Sequence, residues 1–198
     1  MEPTAIDVLA PVHRLSVEQF QRMGEAGVFD GDVRVELIDG VIVEVNASGQ
    51  FHTRAVNWLN RELVRQLDDD HMVSPQNNIV LRDLRSMPQP DIAIVTIEDL
   101  VDRVPERPLL VIEVSDSTLG FDRITKSRLY ARHGVQDYWI LNVREQVVEV
   151  HRGPTGDNWS NRTLHGPGEV LRPLLLPQVT VALGPLVAFT VGPPSAGF

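Results

Sequence analysis

Two acidic residues stand where strands ought to be apolar. Asp91 follows Pro90 and opens "DIAIV", and Glu113 sits between Ile112 and Val114 in "LLVIEV". A carboxylate buried in such a run is costly unless it is paired or bound to a cation. Each is either half of a structural ion pair with an arginine or part of a shared cation site, and two intrusions on neighbouring strands favour the second. The chain has no cysteine and no ordered histidine cluster, so the ligands are oxygens. That donor set suits Mg2+ or Mn2+ rather than zinc, and such ions usually work on phosphates.

The third residue of interest is Lys126. Of 18 basic residues, 17 are arginine, which leaves a single lysine. An ammonium is a compact charge whose pKa can be moved, whereas a guanidinium is bulky and permanently charged. Either one surface lysine has survived a compositional bias, or a task requires an ammonium. The segment "FDRITKSRLYARHG" reads as a helix closed by Gly134. At about 100° per residue, Asp122, Lys126, Leu129 and His133 share a face with Tyr130 nearby, while Arg128 and Arg132 point elsewhere. From that face Lys126 can run along the sheet toward Glu113. The alternative is a surface pair between Asp122 and Lys126, worth only a few tenths of a kcal/mol.

The elements that must position these residues follow from local patterns. Ser16 with Gln19 three places later is a capping box that opens a short helix. "VRVELIDGVIVEV" alternates on both sides of Asp39-Gly40, a strong hairpin signal, and a two-residue turn sets Glu36 opposite Val43. Apolar residues at 56, 59, 63 and 67 form one stripe of a helix from about Gln50 to Leu67, with His52 on the stripe at its start. "SPQNNIVL" and "QPDIAIV" read as strands introduced by proline, and "LLVIEV" as the central buried strand. "DYWILNV" and "QVVEVHR" form a second hairpin, residues 153–168 a Gly/Pro-rich loop, and "VTVALGPLVAF" a terminal strand pair or edge meander. The class is α/β (α+β): a mixed β-sheet flanked by helices.

Bulk properties bound the rest. At 198 residues and 42% hydrophobic, the chain supports one domain over 1–198, with an N-terminal helix and hairpin (about 14–46) and a C-terminal β extension (about 168–191). The absence of cysteine, of a signal-peptide layout and of a bilayer-length apolar run point to a cytoplasmic protein with no membrane partner. A net charge of −9 argues against a general nucleic-acid coat, although a metal site and a local basic patch can still engage phosphates.

In their order and spacing, "ELIDG", a histidine opening the next helix, "PQPDIAIV", "LLVIEVSDST", "D...K...Y" and "GVQDYWI" resemble a bacterial family of restriction-endonuclease-like proteins, long catalogued as a domain of unknown function. The likeness covers most of residues 16 to 151. "PQPD" followed by "IEVSDST" is similar to the wider PD-(D/E)XK nuclease superfamily, in which a lysine stands two residues after the glutamate. Here that slot holds Ser115, and the resemblance assigns its role to Lys126 on the following helix, as in those families whose lysine has migrated.

The resemblance implies a restriction-endonuclease-like core and a metal-dependent endonuclease acting on DNA. Asp91 and Glu113 would hold Mg2+ or Mn2+, with the Val114 carbonyl as a further ligand, and Lys126 would orient the water or stabilise the developing charge. Glu36 is then an additional carboxylate for a second metal or for orientation, or else a rim salt bridge with Arg34 or another arginine. His52 is either a core residue or part of the site. Gln76 lies beside the site or is an ordinary strand residue, and Tyr130 and Trp139 read as core packing. His13, His71, His151 and His165 show no ligand spacing and read as surface or loop residues. Restriction-like enzymes cut both strands as symmetric dimers, so a homodimer is expected. Two other functions stay open: a non-catalytic interaction module that keeps the fold, and a phosphodiesterase acting on RNA or small nucleotides.

Overall fold

Ser16 and Gln19 close the capping box of the first helix, with the Ser16 hydroxyl accepting from the Gln19 amide at 3.2 Å and the Gln19 side chain accepting from the Ser16 amide at 2.8 Å. A computed structural model describes residues 12–29, 33–45, 49–100 and 104–186. In chain order these form α1 (Val17–Glu25), β1 (Arg34–Ile38), β2 (Val41–Val45), α2 (Gln50–Val64), β3 (His71–Pro75), β4 (Ile92–Thr96), the one-turn α3 (Ile97–Leu100) and β5 (Leu110–Ser115). A helical stretch follows over 119–133, made of α4 (Leu119–Phe121), a π turn (Asp122–Lys126) and α5 (Ser127–His133). Then come β6 (Asp137–Asn142), β7 (Val147–Thr155), β8 (Asn158–His165), β9 (Val170–Leu171) and β10 (Val181–Ala182). Among the described residues, no helix is long and apolar enough to cross a membrane.

The main sheet has six strands in the order β3-β4-β5-β6-β7-β8. All neighbours run antiparallel except β5 and β6, which are parallel because the helical stretch 119–133 carries the chain back over one face. Strand alternation divides the core between the two faces. Ile92, Ile94, Ile112 and Val114 pack against α2 and the C-terminal segment around Leu176, Val181 and Leu186. Ala93, Val95 and Val111 pack against Leu129 and Tyr130 of α5 and against Ile38 of the hairpin. Asp91 and Glu113 therefore fall on the α5 side, and continuing the Ile92–Ile112 register by one step sets them opposite each other.

The β1–β2 hairpin has the expected register, with Glu36 opposite Val43. Its turn residues Asp39 and Gly40 are both left-handed, at φ 48° and 74°. Backbone bonds tie the hairpin to the segment leading into Asp91: Met87 N–H to Leu37 C=O at 2.7 Å and Gly40 N–H to Arg85 C=O at 2.8 Å. Glu36 and Asp91 are thus held by one connected stretch of main chain.

Four expectations need correction. The strand read at "SPQNNIVL" lies earlier, at His71–Pro75; Pro75 offers no amide to extend it, and Gln76 turns away at φ 50°. Residues 153–168 are not a loop, since β7 runs to Thr155, turns at Gly156-Asp157 and returns as β8. Glycine suits that strand position, because Gly153 has φ 63°, a left-handed backbone that strains an L side chain, and a Cβ there would crowd the Ser160 hydroxyl. His151 is no surface residue: alternation turns it inward, buried beside the rings of Tyr138 and Trp159. Of the strand pair expected within "VTVALGPLVAF", β10 forms there and its partner is β9, upstream at Val170–Leu171, while residues 187–191 of the expected extension, like residue 46 of the N-terminal one, lie outside the described residues.

Gly40→Ala tests the tie between turn and fold. The new methyl would sit 2.6 Å from the Arg14 Cβ on a left-handed backbone. A loss of about 2 kcal/mol in urea denaturation is expected; an unchanged midpoint would contradict it.

Candidate active site

Asp91 is buried at the end of β4 and fully engaged. One oxygen accepts from the Val114 amide at 2.8 Å, and the other faces the His52 Nε2 at 2.9 Å. The Gln76 amide donates to the Asp91 carbonyl at 3.1 Å, and its side chain lies 3.5 Å from the Asp91 carboxylate. His52 reaches this point from the first turn of α2, and its Nδ1 is buried without a partner.

Glu113 projects from β5 toward the crossover helix. Its Oε1 accepts from the Lys126 ammonium at 3.0 Å and from the Tyr130 hydroxyl at 2.8 Å. Lys126 also donates to Glu36 Oε1 at 3.0 Å, while Glu36 Oε2 is buried with no partner. Lysine and both glutamates are almost fully buried, at 4% and 2% exposure. The Asp122–Lys126 surface pair is not formed, nor is a Glu36–Arg34 rim bridge.

The π turn explains how one short helix delivers so many side chains to the sheet. Its extra residue per turn shifts the phase, so that Asp122, Lys126, Ser127 and Tyr130 are all buried. A regular helix with His133 on the same face was expected; His133 instead bonds the Glu106 carbonyl at 2.7 Å. The turn is anchored from β5, where Ser115 donates to Asp122 at 2.6 Å and Thr118 donates to the same oxygen at 2.7 Å.

Electrostatics follow from burial. Desolvation pushes the Glu113 carboxyl well above the usual range, reinforced by Asp122, Asp91 and Glu36 and opposed by Lys126. Burial works against the Lys126 charge, but Glu113, Glu36, Asp122 and Asp91 outweigh it and raise its pKa above the ordinary lysine value. Lys126 therefore keeps its proton at neutral pH. Burial also raises Asp122, with Lys126 and the two hydroxyls opposing. For Asp91, burial is outweighed by His52, the Val114 amide and Lys126, which hold its carboxyl below the usual range.

All five expected side chains, Asp91, Glu113, Lys126, Glu36 and His52, line one cavity of about 50 Å3. That is room for roughly three waters and far too little for a nucleotide. Val114 enters through its amide. Gln76 touches Asp91 as one of its two readings allowed. Tyr130 reads as packing and does pack, against Tyr138, but its hydroxyl bonds Glu113 in the cavity wall; Asp122, Ser115 and Thr118 fall within the motifs "D...K...Y" and "LLVIEVSDST", which give them no role of their own. Trp139 is core, as expected. Among the described residues, no three His, Cys, Asp or Glu side chains gather in a metal-binding group.

A mixed six-stranded sheet bearing these carboxylates is a nuclease-like fold. A crystal structure described as that of "a putative nuclease belonging to DUF820" from Anabaena variabilis aligns with a TM-score of 0.72, covering 89% of this chain and 99% of that one. At 15% identity the likeness is one of fold. The model of the Uma2 family, described as "Putative restriction endonuclease", matches residues 17–184, and the chain belongs to that family. No curated protein matches. Family and fold together support a nuclease-like function.

Lys126→Met tests the buried triad. Stranding two carboxylates should cost about 3–5 kcal/mol at neutral pH. Urea denaturation at neutral pH is the measurement; an unchanged midpoint would contradict the triad.

Proposed function

We propose that this chain is a metal-dependent endonuclease that hydrolyses phosphodiester bonds in DNA, with Asp91 and Glu113 as the ligands of one Mg2+ or Mn2+. The observation that carries the reading is the chain's single lysine, buried and protonated 3.0 Å from the Glu113 carboxylate. A surface lysine kept by chance would not have left water.

The donor set fits a hard dication. Asp91 and Glu113 would contribute carboxylate oxygens from adjacent strands alongside the hydrogen bonds they already accept, and Glu36 Oε2 is a buried acceptor with no protein partner. When bound, the ion would polarise a phosphate oxygen and acidify a coordinated water. The chain's own residues do the rest. His52 and the Val114 amide fix the Asp91 carboxylate, and Tyr130 fixes that of Glu113. Lys126 holds its proton too firmly to act as a base, so it serves as an electrostatic partner for the charge that builds on the phosphate during in-line attack. Glu36 orients that ammonium from its other side. The cavity admits water but no nucleotide, so the scissile phosphate must come to its mouth. The Val114 carbonyl as a further ligand, and a homodimer that cuts both strands, belong to the same proposal.

A second reading rests on the same lysine. Because Lys126 already neutralises both glutamates, the site is electrostatically filled, as a non-catalytic module that keeps the fold would require.

Calorimetry with Mg2+ and Mn2+ separates the two. Wild type should bind at millimolar metal, and a variant combining Asp91→Ala with Glu113→Ala should not. Plasmid cleavage should then fall by about 10²–10³ in Lys126→Ala. Wild-type protein that takes up no metal, with or without DNA, would favour the non-catalytic module. Cleavage of RNA or small nucleotides but not DNA would move the substrate.

A further inference from the structure

Among the described residues that line the cavity, Arg34 is the one basic side chain besides Lys126 and the His52 imidazole. Arg34 of β1, half-buried, lines it together with Glu36, Asp91, Glu113, Asp116 and Asp122. In so acidic a setting a guanidinium would be expected to pair with a carboxylate. Yet among the described residues no carboxylate lies within 4.0 Å of it. Its partner is neutral: Gln89 Oε1 accepts from Arg34 Nη2 at 2.5 Å and from Nε at 3.2 Å. That arrangement orients the guanidinium and leaves its charge unspent, with the N–H groups of Nη1 still available.

The neighbouring carboxylates are occupied elsewhere. Asp116 bonds Arg144 at 2.7 Å, Asp122 takes the two hydroxyls, and Glu36 takes Lys126. The Arg34–Gln89 contact adds little to holding the hairpin in place, since four bonds already join 37–40 to 85–87: Leu37 and Met87 exchange both amides, Gly40 binds the Arg85 carbonyl, and the Asp39 amide binds the Ser86 hydroxyl. Gln89 also stands two residues before Asp91 on the same strand approach, so whatever Arg34 holds is registered against the acidic pair.

We propose that Arg34 is a phosphate-binding residue at the cavity mouth and that Gln89 is its positioning residue, giving an acidic protein one unneutralised cation with which to seat a nucleic-acid phosphodiester beside Asp91 and Glu113. The inference rests on the nuclease reading. A planar guanidinium suits phosphate because its N–H groups match two oxygens at once, and a neutral amide aims it without quenching its charge.

Gln89→Glu is the discriminating variant, because it keeps the shape of the pair and turns it into an ion pair. Binding is read by anisotropy with a short fluorescein-labelled DNA duplex, phosphorothioate-linked to slow turnover, over a salt series in Mg2+. Gln89→Glu and Arg34→Gln should each weaken binding about tenfold or more. Arg34→Gln should lower the salt slope by about 0.9, one phosphate contact. Adding Gln89→Glu to Arg34→Gln should change little further, since both act through one group. Melting temperature should hold or rise in Gln89→Glu. Wild-type binding with unchanged affinity and salt slope in both variants would overturn the inference and leave the nuclease reading standing. Wild type that neither binds nor cleaves any nucleic acid would overturn both. Additive effects of the two changes would reduce the Gln89→Glu result to general charge repulsion and overturn the positioning role.

Discussion

Everything around the cavity depends on one buried ammonium shared by two glutamates. Taking three charges out of water is expensive, and the mutual attraction returns that cost only where geometry is tight and the remaining polar atoms are satisfied. Lys126 meets the first condition with both contacts at 3.0 Å. The second is met unevenly. Tyr130 gives Glu113 another donor, whereas Glu36 keeps one buried oxygen with none. Glu36 lines a cavity with room for water, so that oxygen has an acceptor's place at the cavity rather than in the packed core.

Three separate pieces of chain must meet for this to happen. The type I′ turn at Asp39-Gly40 sets the phase of β1 so that Glu36 faces inward, and the backbone bonds to 85–87 fix its distance from Asp91. Strand β5 turns Glu113 to the same face as Val111, against α5. The π turn then rotates Lys126 and Tyr130 together onto Glu113. Such turns are uncommon within α-helices and recur at functional positions.

The acidic pair was legible because near-continuous apolar runs make any charge conspicuous, and Glu36 because an Asp-Gly turn fixes register without help from the rest of the chain. Lys126 was legible from arginine usage and from a family likeness. What stayed hidden depends on tertiary fit. No local pattern announces a π turn, so Tyr130 read as packing alone. Gly153, Pro154 and Gly156 read as a loop because those residues usually break strands, and only the left-handed backbone at Gly153, within a paired strand, reveals why glycine belongs there. His151 looked solitary since its partners, Tyr138 and Trp159, come from two other strands.

Ser115 ties β5 to the helical stretch that carries Lys126. Two places past Glu113, Ser115 points to the same face, and it donates to Asp122 at the start of the π turn. The parallel pairing of β5 with β6 obliges the intervening chain to cross that very face. A serine at this position thus anchors the crossover, and the crossover carries the ammonium that meets Glu113 and Glu36. The Lys126 ammonium also lies 5.8 Å from the centroid of the Phe121 ring, at the start of the same helical stretch. Serine holds the helix to the strand, and lysine brings from that helix the charge that the two buried glutamates require.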